Sequence, residues 1–120
     1  MLTAEFYTYI SASKRNGTLY TGHTDDIGAR AEQHLHGTFK GFSQQYGCKY
    51  IVWFEAHASR DEAFKRDRQI KEWRRSWKLA LIEKTNPHWI DVIRSPVWPL
   101  PDPEMFPNLY EQCMSFALSR

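Results

Sequence analysis

At 120 residues the chain has the size of one domain, enough to bury roughly two thirds of its unfolded surface. With 42% hydrophobic and 15% aromatic residues it can collapse without disulfides. No apolar run approaches the roughly 18 residues that cross a bilayer, and the first residues lack the basic-then-apolar order of a secretory leader, so a cytoplasmic address is expected.

The formal charge of +2 is unevenly spread, since residues 60–78 carry eight Lys/Arg against four Asp/Glu. Residues 95–120 set Arg120 against Asp102, Glu104 and Glu111, so a polyanion would meet the body rather than the tail. Cys48 and Cys113 have no histidine at zinc-finger spacing and read as free thiols.

Phe6 to Ser11 and Thr18 to His23 are rich in aromatic and β-branched residues, and Lys14-Arg15-Asn16-Gly17 supplies a turn between them. They predict an antiparallel hairpin. Asp25 and Asp26 are N-cap candidates for a helix over about 26–36, with Ile27, Ala31, His34 and Leu35 at helical spacing and Gly28 weakening its first turn. The glycines of 37–48 predict a loop, and Tyr50-Ile51-Val52-Trp53-Phe54 a buried strand. Ser59-Arg60-Asp61-Glu62 is a capping box that starts a helix near Arg60. Its pattern runs on through Trp73, Trp77 and Leu81, with a break near 72–75, until Asn86-Pro87 ends it.

Five of the six prolines lie between Pro96 and Pro107 and predict a stiff connector. The chain therefore divides into a body over 1–94 and a tail over 95–120, whose last stretch, 108–120, suits a short amphipathic helix able to self-associate. Strand, strand, helix, strand, helix, helix is an α+β order with a small three-stranded antiparallel or mixed sheet flanked by helices.

Arg30 and His34 stand four apart and so share one face of the first predicted helix. A surface arginine beside a packed histidine would satisfy the same pattern. Asp67 falls inside the apolar stripe of the next helix, where a buried carboxylate needs a counter-charge or a cation. Lys71, Arg68 or Arg30 could supply an ion pair, and a divalent ion with several waters would serve equally. Tyr9 and Tyr20 read singly as packed strand residues. Together with Arg30, His34 and Asp67 they could form a general base, a phosphate clamp and a metal site.

These residues resemble the GIY-YIG nucleases, and within them the short bacterial proteins of the UPF0213 or YhbQ-like group. Tyr7-Thr8-Tyr9 resembles the GIY element and Tyr20-Thr21-Gly22 the YIG element. Arg30 with His34, Gly41-Phe42-Ser43 with Tyr46-Gly47, and Ala63 through Trp77 to Leu81-Ile82-Glu83 and Asn86-Pro87 resemble the downstream pattern, over residues 5–92 in all.

The resemblance implies a GIY-YIG endonuclease fold and hydrolysis of DNA phosphodiesters with one Mg²⁺ or Mn²⁺ ion. By it, Tyr9 and Tyr20 are the paired tyrosines that activate and position water, Arg30 holds the scissile phosphate, His34 orients or relays a proton, and Asn86 shapes the site. The family's metal-binding glutamate corresponds to Asp67, shorter by one methylene. Tyr7 stands where the name motif has glycine. The basic residues Lys65, Arg66, Arg68, Lys71, Arg74, Arg75 and Lys78 are the expected backbone contacts to DNA, whether single-stranded, duplex or branched. Trp73 and Trp77 are expected in the core rather than stacked on bases.

Two other readings stay open. Asp67 is compatible with a binding module that has lost catalysis, and the tail with a protein-interaction domain.

Overall fold

A computed structural model describes residues 6–37, 41, 46–93, 104 and 108. The first apolar and β-branched run forms strand β1 (Phe6–Ala12) and the second β2 (Leu19–Thr24). They pair antiparallel, with Tyr9 opposite Gly22 and Ser11 opposite Tyr20. The turn closes through Gly17 N–H donating to Lys14 O at 2.9 Å and Ser13 N–H to Thr18 O at 3.0 Å. Its Asn16 takes φ 58°, a left-handed conformation that asparagine tolerates better than most side chains.

Strand β3 (Tyr50–His57) pairs antiparallel with the other side of β1, giving the order β2-β1-β3. It runs past the expected end at Phe54 because Glu55 and His57 keep the ladder while facing partly outward, which an apolar run alone does not reveal. Between Ile10 and Ser11 the register skips Val52. The bulge turns Val52 and Trp53 to one face and frees the Val52 carbonyl from the ladder.

Helix α1 (Ile27–His36) starts where Asp26 Oδ1 accepts from Ala29 N–H at 2.9 Å, and ends at Gly37 with φ 70°. Helix α2 (Arg60–Lys71) starts where Ser59 Oγ accepts from Glu62 N–H at 3.2 Å. Helix α3 (Arg75–Thr85) follows a short break and is capped by no side chain at its start.

Sheet alternation sends Tyr9 and Ile51 to one face, packed with Ala31 of α1 and with Ile90 and Val92. Ile10, Ala12, Val52 and Trp53 go to the other, against Ile70 of α2, Ile82 of α3 and Trp89. The helices thus flank the sheet on both sides.

One side chain expected inside is not: Trp77 is 52% exposed. The break at 72–74 restarts the helical phase, so Trp73 packs inward against the core while Trp77, four residues on, points out. The expected loop residues Phe42 and Ser43, and all of the tail over 95–120 except Glu104 and Asn108, lie outside the described residues. Among the described residues no helix is long and apolar enough to cross a membrane.

Candidate active site

Edge strand β2 brings the two faces together, because α1 lies on one side of it and α2 on the other. Tyr20, Gly22 and His23 of β2, Arg30 of α1, and Asp67 and Lys71 of α2 line one open cleft of about 350 Å³.

Behind the cleft, Tyr9 is fully buried and its phenol donates to Nε2 of His34 at 2.9 Å. The direction follows from the other ring nitrogen: Nδ1 of His34 lies 3.1 Å from the Cys48 carbonyl, which can only accept, so Nδ1 carries the proton and Nε2 accepts. Burial pushes His34 down to about 4, so the ring is neutral near pH 7. Tyr9 is pushed well above the ordinary phenol range, first by burial and then by Tyr20, and the Arg30 guanidinium hydrogen-bonded to it works against that rise. Tyr20 is also raised, by burial first and the Asp67 charge second. The Tyr20 ring centroid lies 6.3 Å from that of Tyr9 and 5.6 Å from that of His34.

Gly22 makes this packing achievable. A Cβ there would stand 2.7 Å from the Tyr9 hydroxyl, closer than real contacts allow, and 3.0 Å from Cε2 of Tyr20, tighter than most. The third residue of Tyr20-Thr21-Gly22 is therefore small because two phenols meet over it.

Asp67 is 2% exposed, as its place in the apolar stripe predicts. Its Oδ2 accepts from His23 Nδ1 at 2.7 Å. Lys71 Nζ sits 3.1 Å from Oδ1 and 3.4 Å from Oδ2 but hydrogen-bonds only to Oδ2, leaving Oδ1 buried with an ion-pair contact and no directed hydrogen bond. Of the three cations that the sequence offers Asp67, Lys71 is the one found there. Arg68 lies instead over the Phe64 ring at 5.7 Å.

His23 escaped the sequence reading, although strand pairing holds the clue. Cross-strand partners share a face. Thr8 faces α2, donating its hydroxyl to Ala63 O at 2.8 Å, and Thr8 pairs with His23.

Asn86 is not brought to the cleft. Fully buried, it donates from Nδ2 to Val52 O and Ile90 O, both at 2.9 Å, and accepts from Ile90 N–H at 3.1 Å. It satisfies the carbonyl freed by the β3 bulge and holds Ile90, which packs in the cluster containing Tyr9.

The basic residues of α2 and α3 are divided as well. Lys65 and Arg66 border a depression beside His57, Lys71 lines the cleft at β2, and Arg75 and Lys78 line a third concavity at the hairpin turn. Arg74 lies over Trp77.

Residues 5–80 match the family model described as the GIY-YIG catalytic domain. The chain belongs to the GIY-YIG family. UPF0213 proteins of Staphylococcus aureus strains Mu50 and COL are each 35% identical to it over 69 residues, covering 58% of this chain and 84% of theirs, which places it in the UPF0213 group. A UPF0213 protein of Bacillus halodurans solved by NMR is similar at 27% identity and a TM-score of 0.43, over 68% of this chain and 85% of that one.

As a member of a nuclease family, this GIY-YIG domain has nucleic acid as the general class of substrate. Among its described residues no three His, Cys, Asp or Glu side chains converge. Of the acidic groups lining the cleft, Asp67 is the buried one, and a divalent ion held there would take that carboxylate with water completing its shell. That donor set suits a hard cation such as Mg²⁺ or Mn²⁺, and Oδ1, which makes no directed hydrogen bond and meets only the half-exposed Lys71 ammonium, is the oxygen such an ion would take in the ammonium's stead.

Proposed function

We propose that this domain hydrolyses DNA phosphodiesters in the cleft along β2. The observation that carries this reading is the convergence of Tyr20, Arg30 and Asp67, from three separate elements, on one open concavity. A phenol, a fixed guanidinium and a buried carboxylate are what orienting a water, binding a phosphate and holding a cation require.

Tyr20 reaches the cleft and Tyr9 does not, so Tyr20 is the phenol that meets the attacking water. Tyr9 stands behind it, hydrogen-bonded to Arg30 and His34, and fixes the guanidinium that faces the phosphate. His34 is a positioning residue. Burial holds its ring neutral, so it accepts from Tyr9 without taking up charge. Asp67 would hold Mg²⁺ or Mn²⁺, which when bound supplies charge neutralisation at the phosphoryl oxygens. Lys71 would move aside from Oδ1 to admit it.

The Lys71 contact also favours a second reading, in which its ammonium occupies Asp67 permanently and the domain binds nucleic acid without turnover. Cleavage of end-labelled single-stranded and duplex DNA in Mg²⁺ or Mn²⁺, by wild type, Asp67→Ala and Arg30→Ala, separates the two. Cleavage by wild type that both substitutions abolish supports hydrolysis. Binding at low salt with no cleavage under any metal supports the second reading.

A further inference from the structure

Trp77 is the most exposed of the large hydrophobic side chains among the described residues, at 52%, and its surroundings are cationic. Arg74 lies over its ring at 4.9 Å from the centroid, and Trp73 meets it edge-on at 6.1 Å and 81°. Trp73 is in turn covered by Arg66 at 5.2 Å. A lone exposed apolar residue is ordinary. An indole packed edge-on against a second indole and framed by guanidinium groups is a flat π surface in a positive field.

Arg75 and Lys78, which flank Trp77 in the chain, line with Asn16, Gly17, Thr18 and Leu19 a concavity of about 520 Å³. Arg75 Nη2 donates to Asn16 O at 2.8 Å and Gly17 O at 2.7 Å, which locks the guanidinium against the turn and leaves its other nitrogens for a ligand. Lys78 is pulled below the ordinary lysine range by burial and by Arg75, as expected of two cations crowded without an anion between them. Residues 65–78 hold seven Lys/Arg against Asp67 and Glu72 alone. Moreover, Leu19 lines this concavity and its neighbour Tyr20 lines the candidate active site, so strand β2 joins the two.

We propose that the start of α3 is a binding subsite for unpaired nucleotides, with a base stacked on Trp77 and a backbone phosphate held by Arg75 and Lys78. It rests on the nucleic-acid reading above and adds a place where the strand leaves the active site. Bases inside a duplex have no free face to offer an indole, whereas an unpaired base of any identity has one.

The test is binding, without metal, of a fluorescent oligothymidylate, an abasic oligomer of equal length and a blunt-ended duplex without loops, read by anisotropy in EDTA. Trp77→Ala is expected to weaken oligothymidylate roughly tenfold and leave the duplex within about twofold. The abasic oligomer should bind wild type only as well as oligothymidylate binds Trp77→Ala. Lys78→Gln should reduce the slope of log affinity against log salt by about 0.7, a readout that holds even if the tryptophan variant folds poorly. Wild-type affinity retained by Trp77→Ala, equal binding of the abasic oligomer, or an equal loss on the duplex would overturn the subsite. So would a wild-type dimer that Trp77→Ala dissociates with oligonucleotide binding unchanged. Failure of the nuclease reading would show separately, as these binding differences without cleavage.

Discussion

Nδ1 of His23 donates to Oδ2 of Asp67 across 2.7 Å, tying the edge strand to α2 beneath the cleft. The carboxylate is buried, so each of its two partners, His23 and Lys71, carries part of the cost of keeping it charged. A double-mutant cycle of His23→Ala and Asp67→Asn, read by urea denaturation, should give a coupling of about 1–2 kcal/mol. Additive effects would show that the two side chains do not stabilise one another.

Gly22 is small because Tyr9 and Tyr20 occupy the space over it. Gly22→Ala should displace the Tyr9 phenol from His34 and destabilise the domain by about 1–3 kcal/mol. The denaturation midpoint checks the energy, and a change in the His34 ring signals by NMR checks the cause. Normal stability with unshifted His34 signals would mean that the cluster can relax without cost.

His34 gives stability a defined dependence on pH. Its folded value of about 4 lies below the ordinary 6.5. Between these values the unfolded chain binds a proton that the native ring refuses, so the contribution is full above 6.5 and falls as pH drops toward 4. The loss amounts to about 3–4 kcal/mol at most. Denaturation midpoints of wild type and His34→Gln between pH 7 and pH 4 should converge as the pH is lowered, and a constant gap would contradict this assignment.

Much of the fold is legible in local chemistry. Asp26 and Ser59 announce their helices because a cap is a contact within three residues, and the Asn16-Gly17 turn announces its hairpin for the same reason. Within the candidate site, Asp67 stands out because a carboxylate in an apolar stripe must be answered by something.

What answers it is less visible. His23 lies 44 positions away and reaches Asp67 only through the pairing of Thr8 with His23 and the seating of α2 on Thr8. Asn86 invites a role in the cleft by its place in the motif, yet its partner is a carbonyl freed by a bulge that no periodicity predicts. Trp77 is misread for a related reason: a three-residue break rotates α3 relative to α2, and a stripe counted straight through the break points the wrong way.

The measurement that bears most directly on the account is the single-turnover rate of phosphodiester cleavage by wild type and by Tyr20→Phe in saturating Mn²⁺. If Tyr20 meets the attacking water, wild type cleaves and the loss of one hydroxyl slows it about 100-fold or more, with nucleic-acid affinity unchanged. Cleavage by Tyr20→Phe at the wild-type rate, or none by wild type at any metal concentration, would contradict it.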